Sequence, residues 1–214
     1  MGVYNLFSRE NLSNLNPPSA GIIKEILYDI ATPVFEKLNL EATENPYVWM
    51  SDFNEEGIRK IIQFSYRGTV GHFRIGTNFD FMPVVNSKQK IVFHKKQCHL
   101  FDDAQTIVGS KKSISLWHQK SFIKSLQKLV HKRIHKIEAY LANASTITQN
   151  ISIANKQLQH PDEMYQIHNP ALKYVLSFLY AKLGEEDKAL ALMKEHLTQT
   201  QHTPKEIIDY LKKV

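Results

Sequence analysis

The first strong pattern along the chain is a run of apolar residues, spaced three and four apart, between residues 22 and 38. This spacing keeps the apolar side chains on one face of a helix. The preceding sequence, Asn16-Pro17-Pro18-Ser19, is typical of a helix start. Pro33 lies inside the run, where its ring clashes with the preceding turn of a helix. The pattern therefore predicts a leading helix that is kinked or broken near Pro33.

The hydrophobic period changes to two between residues 47 and 94, which predicts strands. The strand-like stretches are residues 47–53, 58–66, 73–81 and 90–93. The third stretch alternates apolar and polar residues strictly, which is typical of an antiparallel strand with one buried and one solvated face. The two glycines within residues 67–71 predict a hairpin turn between the second and third stretches. Together these segments predict a four-stranded, mostly antiparallel sheet.

Helical spacing returns in the second half of the chain. Apolar residues between Phe122 and Leu141 step by three and four, which predicts one long helix. Residues 143–155 are polar and fit either a loop or a weak helix. Asn169-Pro170 predicts the start of a further helix and Gly184 its end. Carboxylates at residues 185–187 then predict the start of another, because they suit the positive end of the helix dipole.

The order of these segments predicts an α+β fold. We expect residues 1–158 to form an α+β domain, in which the N-terminal helix and the long basic helix pack on the sheet. Residues 159–214 are expected to form a C-terminal helical hairpin subdomain. A capping-box pattern at Thr203-Pro204-Lys205-Glu206 predicts a short last helix.

The first part of this order also resembles a known family. A helix, the hairpin sequence IIQFSYRGTVGHFRIGTNF and a basic helix together resemble a family of small bacterial domains of unknown function. The match rests on Phe64, Gly68, Phe73 and Ile75, and it covers residues 22–141. The resemblance implies an α+β architecture and assigns no catalytic residue.

The sequence LSFLYAKLGEEDKALALMKEHL resembles half of a tetratricopeptide repeat. Small and apolar residues occupy the positions that this repeat requires at Ala181, Gly184, Ala189 and Leu190. The chain contains no second copy, and a repeat array needs about three neighbours to bury its faces. The resemblance therefore implies a helical hairpin and no peptide groove.

Composition narrows the class of protein. The chain has 214 residues, of which 43% are hydrophobic, and one cysteine. A single cysteine leaves no internal disulfide, which favours a reducing compartment. The N-terminal residues lack the apolar core of a secretion signal, and no window has the roughly 20 apolar residues of a membrane helix. We therefore expect a cytoplasmic protein that does not enter a membrane.

The net charge of +6 is concentrated in the middle of the sequence. Between Lys88 and Ile137, twelve Lys or Arg residues accompany two Asp residues. On the predicted long helix, lysines recur every four positions and form a diagonal basic stripe. Such a stripe attracts an acidic protein surface or the phosphates of a nucleic acid. The candidate partner- or anion-binding residues are Lys120, Lys124, Lys128, Lys132, Arg133 and Lys136.

Two groups of residues have side chains of the kind that bind metals. The stretch FHKKQCHLF contains His94, Cys98 and His99. Structural zinc sites use four ligands, usually with paired cysteines, and this chain has one cysteine. His131 and His135 share a helix face, but Lys132 stands where a metalloprotease motif has its glutamate. We therefore expect no metal and no other cofactor, and we expect Cys98 to be packed in the interior.

Nucleotide-binding and hydrolase motifs are absent from the sequence. The polar face of the predicted sheet supplies the ligand-face candidates Ser65, His72 and Arg74. The favoured interpretation is a non-enzymatic binding protein, of immunity or accessory type, that acts through a protein partner. Two alternatives are binding of nucleic acid or another polyanion through residues 120–136, and an enzyme or small-anion site around His72 and Arg74.

Overall fold

The computed structural model describes residues 16–94, 96–110, 112–160, 165, 168–200 and 204–214. The strands are β1 (Glu41–Ala42), β2 (Val48–Met50), β3 (Ile58–Arg67), β4 (Val70–Phe79), β5 (Val84–Val85), β6 (Ile91–Val92), β7 (Leu100–Asp103) and β8 (Ile114–Ser115). The helices are α1 (Ala20–Ile30), α2 (Thr32–Glu36), α3 (Ala104–Val108), α4 (Gln119–Lys132), α5 (Ile134–Ala142), α6 (Ile147–Gln159), α7 (Leu172–Lys182), α8 (Glu186–Gln199) and α9 (Ile207–Leu211). Within the described residues, six strands form one antiparallel sheet in the order β1-β2-β3-β4-β7, with β8 also paired to β4. The predicted α+β class is confirmed.

The leading helix is broken where the sequence predicts it. Ser19 caps α1 by accepting a hydrogen bond from the Ile22 amide at 3.4 Å. α1 ends at Ile30, and Pro33 lies in the first turn of α2, where proline is tolerated because those amides have no helical partner. The Trp49 indole then donates to Thr32 Oγ1 at 3.0 Å, which fastens α2 to β2.

The predicted hairpin forms the centre of the sheet. β3 and β4 pair over ten positions, from Ile58 opposite Phe79 to Arg67 opposite Val70. A two-residue turn joins them, and Gly68 in that turn has φ of +57°. Glycine adopts this left-handed conformation without strain because it has no Cβ. The turn chemistry and the alternating pattern therefore fix this register together.

The edge beyond β4 differs from the prediction. The pattern predicts residues 90–93 as the fourth strand of the sheet, but β6 pairs only with β5, in a separate two-stranded hairpin. β7 lies beside β4 instead, with Arg74 opposite Asp103. Gly76 allows this close pairing, because a Cβ there would stand 1.9 Å from the carbonyl oxygen of Leu100. A short apolar run does not reveal which strand it will join.

The long basic helix of the prediction is two helices. Arg133 leaves the helical conformation, with φ of −127° and ψ of 3°, and separates α4 from α5. Its guanidinium donates to the Val108 carbonyl at the end of α3 at 3.3 Å. The apolar spacing continues across the break, so the sequence pattern alone does not show it.

The apolar side chains form two main clusters. The first lies between the sheet and helices α1, α2, α4 and α5. It contains the rings of Phe35, Trp49, Phe64, Phe73 and Phe122. The second cluster joins α6 to α9 with Ile58, Phe79 and Leu100 at the end of the sheet. The C-terminal helices therefore pack on the sheet, while the division at residue 158 stays a prediction.

The ambiguous residues 143–155 contribute most of α6. Thr146 caps this helix by accepting from the Gln149 amide at 3.2 Å, and the Gln149 side chain accepts from the Thr146 amide at 3.0 Å. α7 and α8 form the predicted helical hairpin, with Gly184 at φ of +78° between them. Thr203 of the predicted last cap lies outside the described residues. None of the helices in the described part of the chain is long and apolar enough to cross a membrane.

Candidate functional site

The exposed face of α4 carries the lysines of the predicted stripe. The helix buries Phe122, Leu126, Leu129 and Val130 against the first apolar cluster. Each residue advances about 100° around a helix, so the lysines point away from that buried side. All of them are exposed to solvent. We call Lys120, Lys124, Lys128 and Lys132 the basic face.

In the described part of the structure, no carboxylate forms an ion pair with a lysine of the basic face. The ion pairs there join Lys96 to Glu44, Lys173 to Glu195 and Lys188 to Glu185. None of the four lysines of the basic face lies within ion-pair distance of a described carboxylate. Because these ammonium groups remain in water, they attract anions at a distance.

Arg133 and Lys136 have a different role from the other predicted residues. Both donate to the Val108 carbonyl, at 3.3 Å for Arg133 Nη1 and 3.2 Å for Lys136 Nζ. Val108 is the last residue of α3, where helix carbonyls lack helical partners. These two cations therefore cap the end of α3 across the helix break, while their predicted part in binding a partner or an anion stays a prediction.

A small cavity lies beside the basic face, between α3, β8 and α4. It has a volume of about 180 Å³ and is lined by Lys112, Lys128 and Arg133. The serines that share this lining are Ser110, Ser113, Ser115 and Ser125. Ammonium, guanidinium and hydroxyl groups are the donors that bind carboxylate and phosphate. Sequence reasoning missed Lys112 and the serines, although the sequence KKSIS at residues 111–115 already places lysine and serine together.

The predicted ligand-face residues come together on neighbouring strands. Ser65 stands opposite His72 across the β3–β4 hairpin, and Arg74 stands opposite Asp103 across β4 and β7. The Arg74 guanidinium lies 4.8 Å from the centre of the Phe101 ring. Burial raises the pKa of Asp103, while His72 and Arg74 oppose that shift by favouring its charged form.

The part of this sheet face near the end of β4 is covered, although the alternation of apolar and polar residues predicts that it is exposed to solvent. Asn78 is fully buried and donates to the carbonyls of His94 and Gln97 at 2.6 and 2.9 Å. His99 is also buried, and its Nδ1 accepts from the Phe79 amide at 3.2 Å. Burial lowers the pKa of His99 to about 3. The segment before β7 therefore folds over the sheet, which the strand pattern does not show.

The cysteine of this segment is packed, as predicted. Cys98 lies in a small cluster with Val48 and Ile61, and burial raises its pKa to about 12. Within the described residues, no three His, Cys, Asp or Glu side chains are grouped so that they could hold a metal ion. The break at Arg133 also falls between His131 and His135, so they do not share one continuous helix as their spacing predicts.

The adjacent acids of β7 point to opposite faces of the sheet. Asp103 faces Arg74, whereas Asp102 is buried on the helical side. There Asp102 accepts hydrogen bonds from Gln157 and Tyr165. Gln157 and Tyr165 lie far along the chain, so the sequence around β7 does not show these contacts. The alternation of side chains in a strand was the available signal.

Comparisons of this chain with protein-family models, curated proteins and solved structures give no match.

Proposed function

We propose that this protein is a cytoplasmic, non-enzymatic binding protein, of immunity or accessory type, that engages an acidic surface of a protein partner. The observation that carries the proposal is the basic face: four exposed lysines on one side of α4, without a carboxylate partner in the described residues. Complementary charge across an interface speeds association and suppresses wrong partners. The partner would supply the carboxylates that the described residues do not place beside these lysines.

Two neighbouring features support a protein partner. Trp117 is 43% exposed directly before α4, and Trp is enriched among the residues that dominate protein interfaces. The serine-lined cavity beside Lys128 is large enough for an Asp or Glu side chain of a partner. Proteins that bind single-stranded nucleic acid interleave stacking aromatics with their cations. Between Lys120 and Lys132, no Phe, Tyr or Trp is exposed, since Phe122 is buried.

A charge-reversal experiment tests the proposal. The chain is used to capture its partner from its own host, and native mass spectrometry identifies the bound polypeptide. Affinity for the purified partner is then measured for a variant with all four basic-face lysines changed to Glu. The matched control changes four exposed lysines elsewhere by the same total charge. Its substitutions are Lys24→Glu, Lys37→Glu, Lys194→Glu and Lys205→Glu.

We expect the basic-face variant to bind at least about 100-fold more weakly, because like charges then oppose the acidic surface. The control variant should stay within about tenfold of the parent chain. Equal losses in the two variants, or retained binding in both, would overturn the proposal. Capture that nuclease treatment abolishes would instead support nucleic-acid binding, and its affinity should then fall steeply as salt rises.

A further inference from the structure

The cavity between α3, β8 and α4 receives positive charge from three segments of the chain. Lys112 lies in the loop before β8, Lys128 on α4 and Arg133 at the break after α4. The described lining of the cavity contains no Asp or Glu, and none of these three cations lies within ion-pair distance of a described carboxylate. The positive charge at the cavity is therefore available to an anion from outside the chain.

Arg133 is held at the cavity by the protein itself. It is half-buried, and its Nη1 donates to the Val108 carbonyl at 3.3 Å. A guanidinium has five N–H donors, so this bond leaves donors for an anion. Lys136 Nζ donates to the same carbonyl at 3.2 Å, which brings a second cation next to the guanidinium. Residues 104–137 include eight Lys or Arg and no Asp or Glu, so no acid of this segment offsets the repulsion between these like charges.

Serine hydroxyls add donors of a second kind to the lining. Ser110 and Ser113 flank Lys112 in the sequence, and all three residues line the cavity. Ser110 Oγ accepts from the Lys112 amide at 3.3 Å, which leaves its hydroxyl hydrogen for another acceptor. Ser125, in contrast, already donates to the Phe122 carbonyl at 3.0 Å. The cavity therefore combines cations with hydroxyl donors, and this set of groups binds oxyanions.

The number of cations favours a phosphate group over a carboxylate. A carboxylate has one negative charge, so it neutralises only one of the three cations. A phosphorylated side chain carries about −1.5 to −2 charges at pH 7 and three terminal oxygens that accept hydrogen bonds. The volume of about 180 Å³ is smaller than that of small-molecule sites, which begin at about 300 Å³. The cavity therefore suits a single phosphate group better than a whole nucleotide.

We propose that this cavity binds the phosphate group of a phosphorylated Ser or Thr side chain on the protein partner. Lys128 belongs both to the cavity and to the basic face, so a side chain that enters the cavity extends from a partner surface in contact with α4. The inference rests on the proposed function for its partner, and it adds the chemical group that the partner presents. Without the partner, the cavity should still bind a small phosphate ester.

Nuclear magnetic resonance titration of the full chain tests the cavity with three small probes, in a low-salt buffer without phosphate. Methyl phosphate carries two negative charges, methyl sulfate has the same tetrahedral shape with one charge, and acetate supplies a carboxylate. We expect methyl phosphate to bind about tenfold more tightly than the other two, with shifts centred on the serines of the lining. Absence of methyl phosphate binding at about 10 mM, or equal binding of the three probes, overturns the proposal.

Variants test whether the cavity cations carry this binding. Lys112→Gln should weaken methyl phosphate about fivefold, and Arg133→Gln about tenfold, because each removes a charged donor. Lys194→Gln, at an exposed lysine on α8, removes the same charge elsewhere and should leave the affinity unchanged. Where Arg133→Gln unfolds the end of α3, the lysine pair still decides. Equal affinities for Lys112→Gln and Lys194→Gln contradict the proposal.

The captured partner separates this inference from the proposed function. Phosphatase treatment of the partner should weaken its binding to the chain about tenfold or more, and Lys112→Gln should weaken only the phosphorylated form. A partner that needs the basic face but binds equally well after phosphatase treatment leaves the proposed function standing and overturns this inference. If methyl phosphate binds while the partner carries no phosphate, the assignment to a partner side chain is wrong, and the ligand is a free phosphate ester.

Discussion

The basic face of α4 and the buried side chain of Asp102 place polar groups in opposite environments. The lysines of the basic face stand in water, and none pairs with a described carboxylate. Asp102 is 8% exposed and accepts hydrogen bonds from Gln157 on α6 and from Tyr165. Solvated charges cost little and act over distance, but they are screened by salt. A buried charge is costly unless it is fully bonded, and it then becomes part of the fold.

This difference has a consequence for mutagenesis. Substitution in the basic face should alter binding and leave the free energy of unfolding almost unchanged. Substitution of Asp102 should lower the free energy of unfolding instead, because its hydrogen bonds with Gln157 and Tyr165 hold β7 in place. Four predictions test this contrast, from the largest expected effect to the smallest.

Asp102→Ala should lower the free energy of unfolding by about 3–5 kcal/mol, because it leaves two buried donors without an acceptor. The donors are the Gln157 amide and the Tyr165 hydroxyl. Urea denaturation followed by circular dichroism measures the change. Asp29→Ala, at an exposed residue of α1, should stay within about 0.5 kcal/mol. Similar effects from both substitutions would remove the contrast between buried and solvated charge.

Gly76→Ala should cost about 3 kcal/mol or more, because the new Cβ would overlap the β7 backbone. Its distance to the Leu100 carbonyl oxygen would be 1.9 Å. Gly21→Ala is the matched control on α1, where the nearest atom lies 3.9 Å away, and it should stabilise by up to about 1 kcal/mol. Thermal unfolding of both variants measures the difference. A harmless Gly76→Ala would show that β7 is not held as closely as its pairing indicates.

Acid should destabilise the fold partly through His99. Burial lowers its pKa from 6.5 to about 3, so the unfolded chain takes up this proton more readily than the folded chain. The contribution of neutral His99 to the free energy of unfolding is therefore complete above pH 6.5 and is lost as the pH falls toward 3. Between pH 7 and pH 4.5 we expect a loss of about 2–3 kcal/mol from this residue.

Urea denaturation at several pH values measures this effect. His99→Gln should flatten the pH dependence between about pH 6.5 and 4.5. Two parallel stability curves for His99→Gln and the parent chain would contradict the assignment. Burial also lowers the pKa values of His168 and His196, so some pH dependence should persist in the variant.

Neutralising the basic face should have the smallest effect on stability. Changing its four lysines to Gln should alter the free energy of unfolding by less than about 1 kcal/mol, because exposed charges contribute little. Thermal unfolding at low and high salt measures this. A loss comparable to that of Asp102→Ala would show that these lysines stabilise the fold, and their role as a free binding surface would then fail.

Much of the secondary structure follows from local patterns. Ser19 and Pro33 mark the helix start and break, and Gly68 marks the hairpin turn, because each acts through backbone conformation within a few residues. The lysine spacing likewise places the basic face opposite the buried side of α4. The buried state of Cys98 is confirmed, whereas the family resemblance of residues 22–141 and the proposed partner stay predictions.

The features that the sequence pattern does not predict all depend on contacts between distant segments. The pattern cannot show that β6 leaves the sheet, that Arg133 ends α4 to cap α3, or that the segment before β7 covers Asn78. The hydrogen bonds of Asp102 come from Gln157 and Tyr165, more than fifty residues away along the chain. Hydrophobic period and turn chemistry are local, so the sequence by itself determined the α+β elements and the basic face. Only the tertiary structure decided which strands pair and which polar groups meet in the interior, because burial and hydrogen bonding there join residues remote in sequence.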